Sequence, residues 1–429
     1  MNFFSKSPAE QVASIMQRVY DRGLTTATGG NISIREKNGD IWITPKAVDK
    51  GSLTAADIVC VHPDGSYDGI HAPSSELPFH SAAYRVRPDF YAVVHAHPVY
   101  CIAYSLARKM PRTDLLPSTY RWGQNQRMSR YAMMGSVLLG DHISEEFARG
   151  ADVVYLENHG VCVGGSDLLE AYHRFESAEY SAKLEILTKK LGEPTSLSQK
   201  KIALAQEWHQ PNWGLIGKHI LSEQEKDLRK SMVKMIRRAC EHGLFTGTQG
   251  VCSVRLDASS FLISPEGMDN AEIGEEDLVA IYEGDAEKGK EPSLMAAFFY
   301  EIYSKNPGIG SAFASQPAHV MAYAASRTEF LTSTVPESYF MLRSIPKRPY
   351  EEPIQNPEEA ARVFRSATPV VLYENLCLVT TGDTLFTAFD RMEVSEATAS
   401  AILVAKDVGP VVYLNQDEIS ELKTTFHLE

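Results

Sequence analysis

The chain has 429 residues, 44% hydrophobic and 23% charged, which suits two or three domains with well-buried cores. Its net charge of −13 excludes nucleic-acid binding through a broad basic face, though not a local basic pocket for an anionic metabolite. Six scattered cysteines without C-x-x-C spacing read as buried reduced thiols, and the lack of a membrane-length apolar run or a secretory N-terminus points to the cytoplasm.

In chain order, the spacing of Val12, Ile15, Met16 and Val19 predicts a helix from Pro8 to Arg22, stopped by Gly23 as its C′ residue. Gly29-Gly30-Asn31 then turns into a strand through Ile34, paired across Asn38-Gly39 with Ile41 to Thr44 and followed by Ile58 to Val61. Strands joined by turns predict an antiparallel sheet. Pro73-Ser74-Ser75-Glu76 opens a helix, with serine as N-cap and Pro78 tolerated in the first turn. The next strand, Val93-Val94-His95-Ala96-His97, places His95 and His97 on one face, because residues i and i+2 of a strand point the same way. Two imidazoles so placed suit a divalent ion such as zinc, and a catalytic site needs a third ligand. His159, in the turn after the strand Val153 to Leu156, is the best candidate. A loop runs from Tyr120 through Tyr131, a short helix covers Ser144 to Ala148, and a long amphipathic helix runs from Leu168 to about Lys190. The Pro- and Ser-rich stretch 192–211 reads as a linker between domains at 1–191 and 212–429.

Beyond the linker the chain repeats itself. Gly23 answers to Gly243, an offset of 243 − 23 = 220, and Ile43-Thr44-Pro45 answers to Ile263-Ser264-Pro265 at the same offset. With small gaps the register continues: Pro73-Ser74 matches Pro292-Ser293, His97-Pro98 matches Gln316-Pro317, and Glu157-Asn158 matches Glu374-Asn375. The copies part where chemistry would sit. His95, His97, His159 and Glu76 become Ala314, Gln316, Leu376 and Met295. Turn, proline and strand positions persist, so the joint loss marks these four as one functional set.

With TGGNIS, ITP, PSSE, HAHP, LPSTY and ENHG in this order, the first half resembles the class II aldolase/adducin family. The second half resembles a member that has lost its metal. The resemblance implies an α/β fold of the α+β type, as two tandem domains each with a mainly antiparallel sheet flanked by helices. It implies one zinc, or another divalent transition metal, per chain on His95, His97 and His159, acting as a Lewis acid on a small sugar phosphate. Glu76 would move the proton, and Tyr120 stands at the family's proton-donating tyrosine. Gly30, Asn31, Ser74 and Ser75 would cradle phosphate through backbone N–H groups, an amide and two hydroxyls. Lys46-Ala47 departs from the usual Ser/Thr-Gly after ITP and puts a cation at the cradle. The expected reaction is cleavage of a ketose 1-phosphate to dihydroxyacetone phosphate and an aldehyde, with decarboxylation of a sugar acid or keto acid, or an adducin-like scaffold, as alternatives. Members resemble fourfold rings, so a homodimer of this tandem chain would form a pseudo-fourfold ring, or a higher oligomer would form, with Tyr339 completing the live site. His80 is expected to serve packing, and Glu176 and Glu179 a salt-bridged helix face.

Overall fold

The computed structural model describes residues 3–209, 211–216 and 221–428. The chain divides into two compact units, Met1–Thr113 with Ser118–Lys183, and Asp114–Pro117 with Leu184–Glu429. Among the described residues each unit is built on one sheet, of eight strands in the first and nine in the second. The fold is mixed α/β with two tandem, mainly antiparallel sheets flanked by helices.

The first unit opens with helix α1 (Pro8–Asp21), whose Ser7 side chain accepts from the Glu10 N–H while Glu10 reaches back to the cap. Its buried stripe is Val12, Ile15, Met16 and Val19, as the spacing predicts, and Gly23 follows at φ +66°, the left-handed conformation that ends many helices. Strands β1 (Asn31–Arg35), β2 (Ile41–Ile43), β3 (Val59–Val61) and β4 (Tyr67–Asp68) form an antiparallel meander. Helix α2 (Leu77–Val86) leads to β5 (Ala92–Ala96), helix α3 (Val99–Ala107), helix α4 (Pro117–Gly123) and β6 (Gln126–Ser129). Helix α5 (Val137–Ala148), β7 (Val153–Leu156), β8 (Gly160–Gly165) and helix α6 (Leu168–Lys189) complete it. The sheet order is β4-β3-β2-β1-β5-β8-β7-β6, with β6–β7 the parallel pair among antiparallel ones. β5 is thus central, held by β1 on one side and β8 on the other.

Alternation along β5 decides which side carries the site. Val93 packs with Phe79, Tyr84, Leu139, Ile143 and Phe147 of α2 and α5, and His95 stands edge-on to Phe79 with ring centroids 5.4 Å apart. Burying each such large apolar side chain contributes about 1.5–3 kcal/mol, so the histidine face of β5 rests on a rigid core.

Three expectations shift here. Helix α2 begins at Leu77 with Glu76 as its N-cap; Ser74 instead accepts from the Glu76 N–H in the turn before it. The loop through Tyr131 holds α4 and β6, and α5 starts seven residues before the expected Ser144. The stretch 192–211 contains the helix Gln199–Glu207, while Gln210, inside the expected linker, lies outside the described residues.

The second unit repeats the plan, with Val251–Arg255 paired to Ser260–Ile263 on one side and Ser311–Ser315 on the other. Structural polar contacts recur with it. Glu179 accepts from the N–H groups of Tyr100 and Cys101 at the start of α3, and Glu396 accepts likewise from His319 and Val320. Glu176 pairs with Arg22, and Glu393 with His242. All six cysteines are buried without disulfides. Among the described residues no helix is long and apolar enough to cross a membrane.

Candidate metal centre

The sheet brings three histidines together from two places. His95 lies on β5, opposite Asn31 of β1 and Cys162 of β8, and His97 follows at the strand's end. His159 sits in the turn between β7 and β8, next to Asn158 at φ +55°, a left-handed conformation that asparagine tolerates. Arg108 braces this turn by donating to Asn158 and pairing with Glu157. Ring centroids of the three imidazoles are 4.9, 4.9 and 5.1 Å apart, and one nitrogen of each lies within 4.8 Å of the others.

Close backbone approach makes this convergence possible. A Cβ on Gly30, which has φ +69°, would sit 2.7 Å from the His95 carbonyl oxygen. One on Gly160 would sit 2.4 Å from the Ala96 carbonyl oxygen and 2.8 Å from His97 Cδ2.

The protonation pattern suits metal binding. His95 Nδ1 lies 2.9 Å from the Val161 carbonyl, which only accepts, so Nδ1 carries the proton and Nε2 presents its lone pair. Burial holds His95 well below its ordinary pKa and pushes His97 down to about 4. It lowers His159 too, against the opposing pull of Glu76. All three are therefore neutral at pH 7, the form that binds metal. His95 Nε2, His97 Nε2 and Glu76 Oε1 are buried with no hydrogen-bond partner. Such orphaned atoms are rare in native proteins, and here they converge: Glu76 lies 3.4 Å from His95 Nε2 and 3.9 Å from His159 Nε2. The donor set fits a divalent transition metal with three imidazoles and an adjacent carboxylate.

A second group, Asp40, Cys60 and His62, also has its ligand atoms within 4.8 Å. It differs in one respect. Both His62 nitrogens are engaged, by Asp40 at 2.9 Å and Asp68 at 3.1 Å, and these hydrogen bonds raise its pKa. It reads as an imidazolium clamped between carboxylates across the edge strands.

Among the expected cradle residues, Asn31 has another role. Its amide donates to Glu76 Oε2 at 2.7 Å, and its carbonyl oxygen accepts from His80 Nε2. His80 Nδ1 lies 2.7 Å from Ser33 Oγ, itself 2.7 Å from the Tyr84 hydroxyl. A buried chain of hydrogen bonds thus runs Tyr84–Ser33–His80–Asn31–Glu76 and fixes the carboxylate. With both nitrogens used and burial pushing its pKa down to about 3, His80 is a neutral positioning residue, not a ligand. In the second unit Tyr303 still donates to Ser253, but Val251 and Phe299 replace Asn31 and His80. The chain was lost together with the ligands.

Ser74 is buried before α2, Ser75 is exposed beside it, and Lys46 is exposed on the loop after β2. Ala47 adopts φ +55°, so this turn keeps a glycine-like conformation without glycine. Lys50, which sequence reasoning missed, is buried with Nζ donating to the Pro45 carbonyl at 2.7 Å. Burial pushes its pKa down to about 8. Tyr120 and Tyr339 are half-buried on α4 and on the matching helix Pro336–Leu342, and neither joins the Glu76 hydrogen-bond chain.

The fold and these histidines define a class, and comparison with known proteins agrees with it. The family model for the class II aldolase and adducin N-terminal domain matches residues 10–186 and again 230–403. The chain therefore belongs to the class II aldolase/adducin family, with two copies of its domain. It is 32% identical over 197 residues to 5-deoxy-D-ribulose 1-phosphate aldolase of Bacillus thuringiensis serovar kurstaki, covering 45% of this chain and 91% of that protein. It is 31% identical over 201 residues to L-fuculose phosphate aldolase of Escherichia coli K12, covering 46% and 92%. It is also 32% identical over 180 residues to 3-oxo-tetronate 4-phosphate decarboxylase of Haemophilus influenzae, covering 41% and 85%.

Proposed function

We propose that the protein is a metal-dependent carbon–carbon lyase that cleaves a ketose 1-phosphate to dihydroxyacetone phosphate and an aldehyde, with its active site in the first unit. The observation that carries this reading is the convergence of orphaned His95 Nε2, His97 Nε2 and Glu76 Oε1. A divalent ion, zinc by the chemistry of three neutral imidazoles, would be held by His95, His97 and His159 and would supply Lewis acidity to the ketose oxygens. Glu76, held by Asn31, delivers to the carbon freed by bond cleavage a proton equivalent to the one that the substrate hydroxyl gives up, and removes the carbon's proton in the reverse condensation. Ser74, Ser75 and the backbone at Gly30 receive the phosphate, with Lys46 available to its charge. Asn31 is retained in the site as the residue that sets Glu76.

One relative supports a second reading. The decarboxylase is as similar to this chain as the aldolases are, and Lys46 suits a substrate carboxylate as well as a phosphate. Cleavage would then release carbon dioxide. Incubating metal-loaded protein with a panel of ketose 1-phosphates and phosphorylated sugar acids, with assays for both products, separates the readings. Dihydroxyacetone phosphate supports the first, carbon dioxide the second, and neither product from any substrate supports an adducin-like scaffold.

We place domain boundaries at 1–191 and 212–429, the protein in the cytoplasm, and two chains in a pseudo-fourfold ring. Support for assembly comes from Tyr131, Met133, Met134, Val137 and Leu138, apolar side chains that are close in sequence and all exposed. In such a ring Tyr339 of a neighbouring second unit serves as the proton-donating tyrosine of the live site.

A further inference from the structure

Lys50 is a buried cation without a counter-charge. It is 1% exposed, with its backbone N–H bonded to the Ala27 carbonyl and its ammonium donating to the Pro45 carbonyl at 2.7 Å. That uses one of three ammonium donors, and among the described residues no carboxylate pairs with it. Burying an unpaired charge is costly, and burial accordingly lowers its pKa to about 8. Its place is beside the proposed cradle. Pro45 bridges Pro73, the Lys46 N–H reaches the Ala72 carbonyl, and the Ser74 N–H reaches the Thr44 carbonyl.

The second unit repeats this backbone frame with the charge reversed. Pro265 bridges Pro292, the Glu266 N–H reaches the Glu291 carbonyl, and the Ser293 N–H reaches the Ser264 carbonyl. At the position of Lys50, by the offset that relates Gly23 to Gly243, stands Asn270, also 1% exposed, whose backbone N–H and side-chain amide both reach the Gly247 carbonyl. A neutral residue keeps the loop contact there, so the fold does not require a charge. At the position of Lys46 stands Glu266, whose carboxylate accepts from the Leu294 N–H at 2.9 Å. The matching N–H of the first unit, that of Ser75, has no acceptor among the described residues. One unit carries an anion within its own chain, whereas the other carries two cations and an open donor.

We propose that Lys50 supplies the buried part of the charge that holds the substrate's phosphate, selecting phosphorylated substrates and taking up a proton as they bind. This rests on the reading of Gly30, Ser74 and Ser75 as a phosphate site. Lys46 meets the anion from solvent, while Lys50 acts through the Pro45 turn as a positioning residue; a buried charge is screened little over so short a path. The other charged groups on the surrounding segments are Asp49, bonded to the Gly51 N–H and the Ser52 hydroxyl, His71, paired with Asp57, and Glu76; residues 24–31 carry none. As pH rises through about 8 the free protein loses the Lys50 proton, so affinity for a phosphate dianion falls.

Titration calorimetry of the metal-loaded full-length chain with sn-glycerol 3-phosphate, run at pH 8 in two buffers of different ionisation enthalpy, reads affinity and proton uptake together. Wild type should take up as much as about half a proton per chain, and its affinity should fall as pH is raised from 7 to about 9.5. Lys50→Asn, which installs the second unit's residue, and Lys50→Met should each bind at least tenfold more weakly without that uptake, with metal content and circular dichroism those of the wild type. Affinity within twofold of wild type in both variants, uptake that persists in both, or no binding or no uptake by the wild type would overturn the assignment. Failure of the lyase reading is separate, because it shows as absence of product and leaves this binding readout in place.

Discussion

At the scale of single residues the site depends on Glu76 and what holds it. Glu76→Gln keeps the hydrogen bond from Asn31 possible but cannot take a proton, so turnover should fall ~10²-fold or more with bound metal unchanged. His80→Phe, which installs the residue found in the second unit, leaves the Asn31 carbonyl buried without its donor. It should lower kcat with little change in KM or metal content, and Glu76→Gln combined with it should lose little more. Steady-state kinetics with metal analysis check both: wild-type turnover in Glu76→Gln would place the base elsewhere, and wild-type turnover in His80→Phe would remove His80 from positioning it. Lys50 makes a separate claim about pH. Its folded pKa of about 8 lies below the unfolded 10.5, so between those values the unfolded state binds more protons and stability rises with pH. The rise should total on the order of 3 kcal/mol by ~1.4 kcal/mol per unit. Denaturation midpoints from pH 7 to 11 should climb more in wild type than in Lys50→Met, and parallel profiles would contradict the burial of a charged amine.

At the scale of elements, the strand-end glycines govern how closely β8 and the His159 turn approach His97. Gly160→Ala would drive a methyl into the Ala96 carbonyl and the His97 ring. Metal affinity should fall ~10–100-fold, as for other losses of ligand positioning. Gly23→Ala is the control: at φ +66° with nothing within 4 Å of its Cβ, it should cost about 1–2 kcal/mol of stability and leave metal affinity alone. Competition with a metal chelator measures both. These elements also show what a sequence discloses. The histidine pair is legible because strand alternation is local, and α1 because its apolar spacing and Gly23 are local. The role of Asn31 is not, since it depends on α2 packing against β1 to bring His80 and Glu76 to one amide. β6, reading Gln126-Arg127-Met128-Ser129, carries no apolar alternation because it is an edge strand. The early turns of α5 were hidden because Val137 and Leu138 are exposed instead of following a core-facing stripe. Lys50 gives no local sign of burial at all.

At the scale of the whole molecule the question is why a unit without ligands persists. Structural pairs such as Glu396 with the His319 N–H recur, while Met295, Val251, Phe299, Ala314, Gln316 and Leu376 stand where the first unit has Glu76, Asn31, His80 and the three histidines, so the two units share the fold and differ in the ligand set. The ring proposal gives it a catalytic duty through Tyr339. Tyr339→Phe should depress turnover without loss of metal, whereas Tyr120→Phe, facing a unit without ligands, should be mild. The opposite ranking in steady-state kinetics would remove the second unit from catalysis. A single metal centre built by the first unit alone can be checked by metal analysis of purified wild-type and His97→Ala protein by inductively coupled plasma mass spectrometry. One ion per chain is expected in the wild type and none in the variant, with both folded by circular dichroism. An ion retained in His97→Ala, or two in the wild type, would contradict it and turn attention to the Asp40–Cys60–His62 cluster.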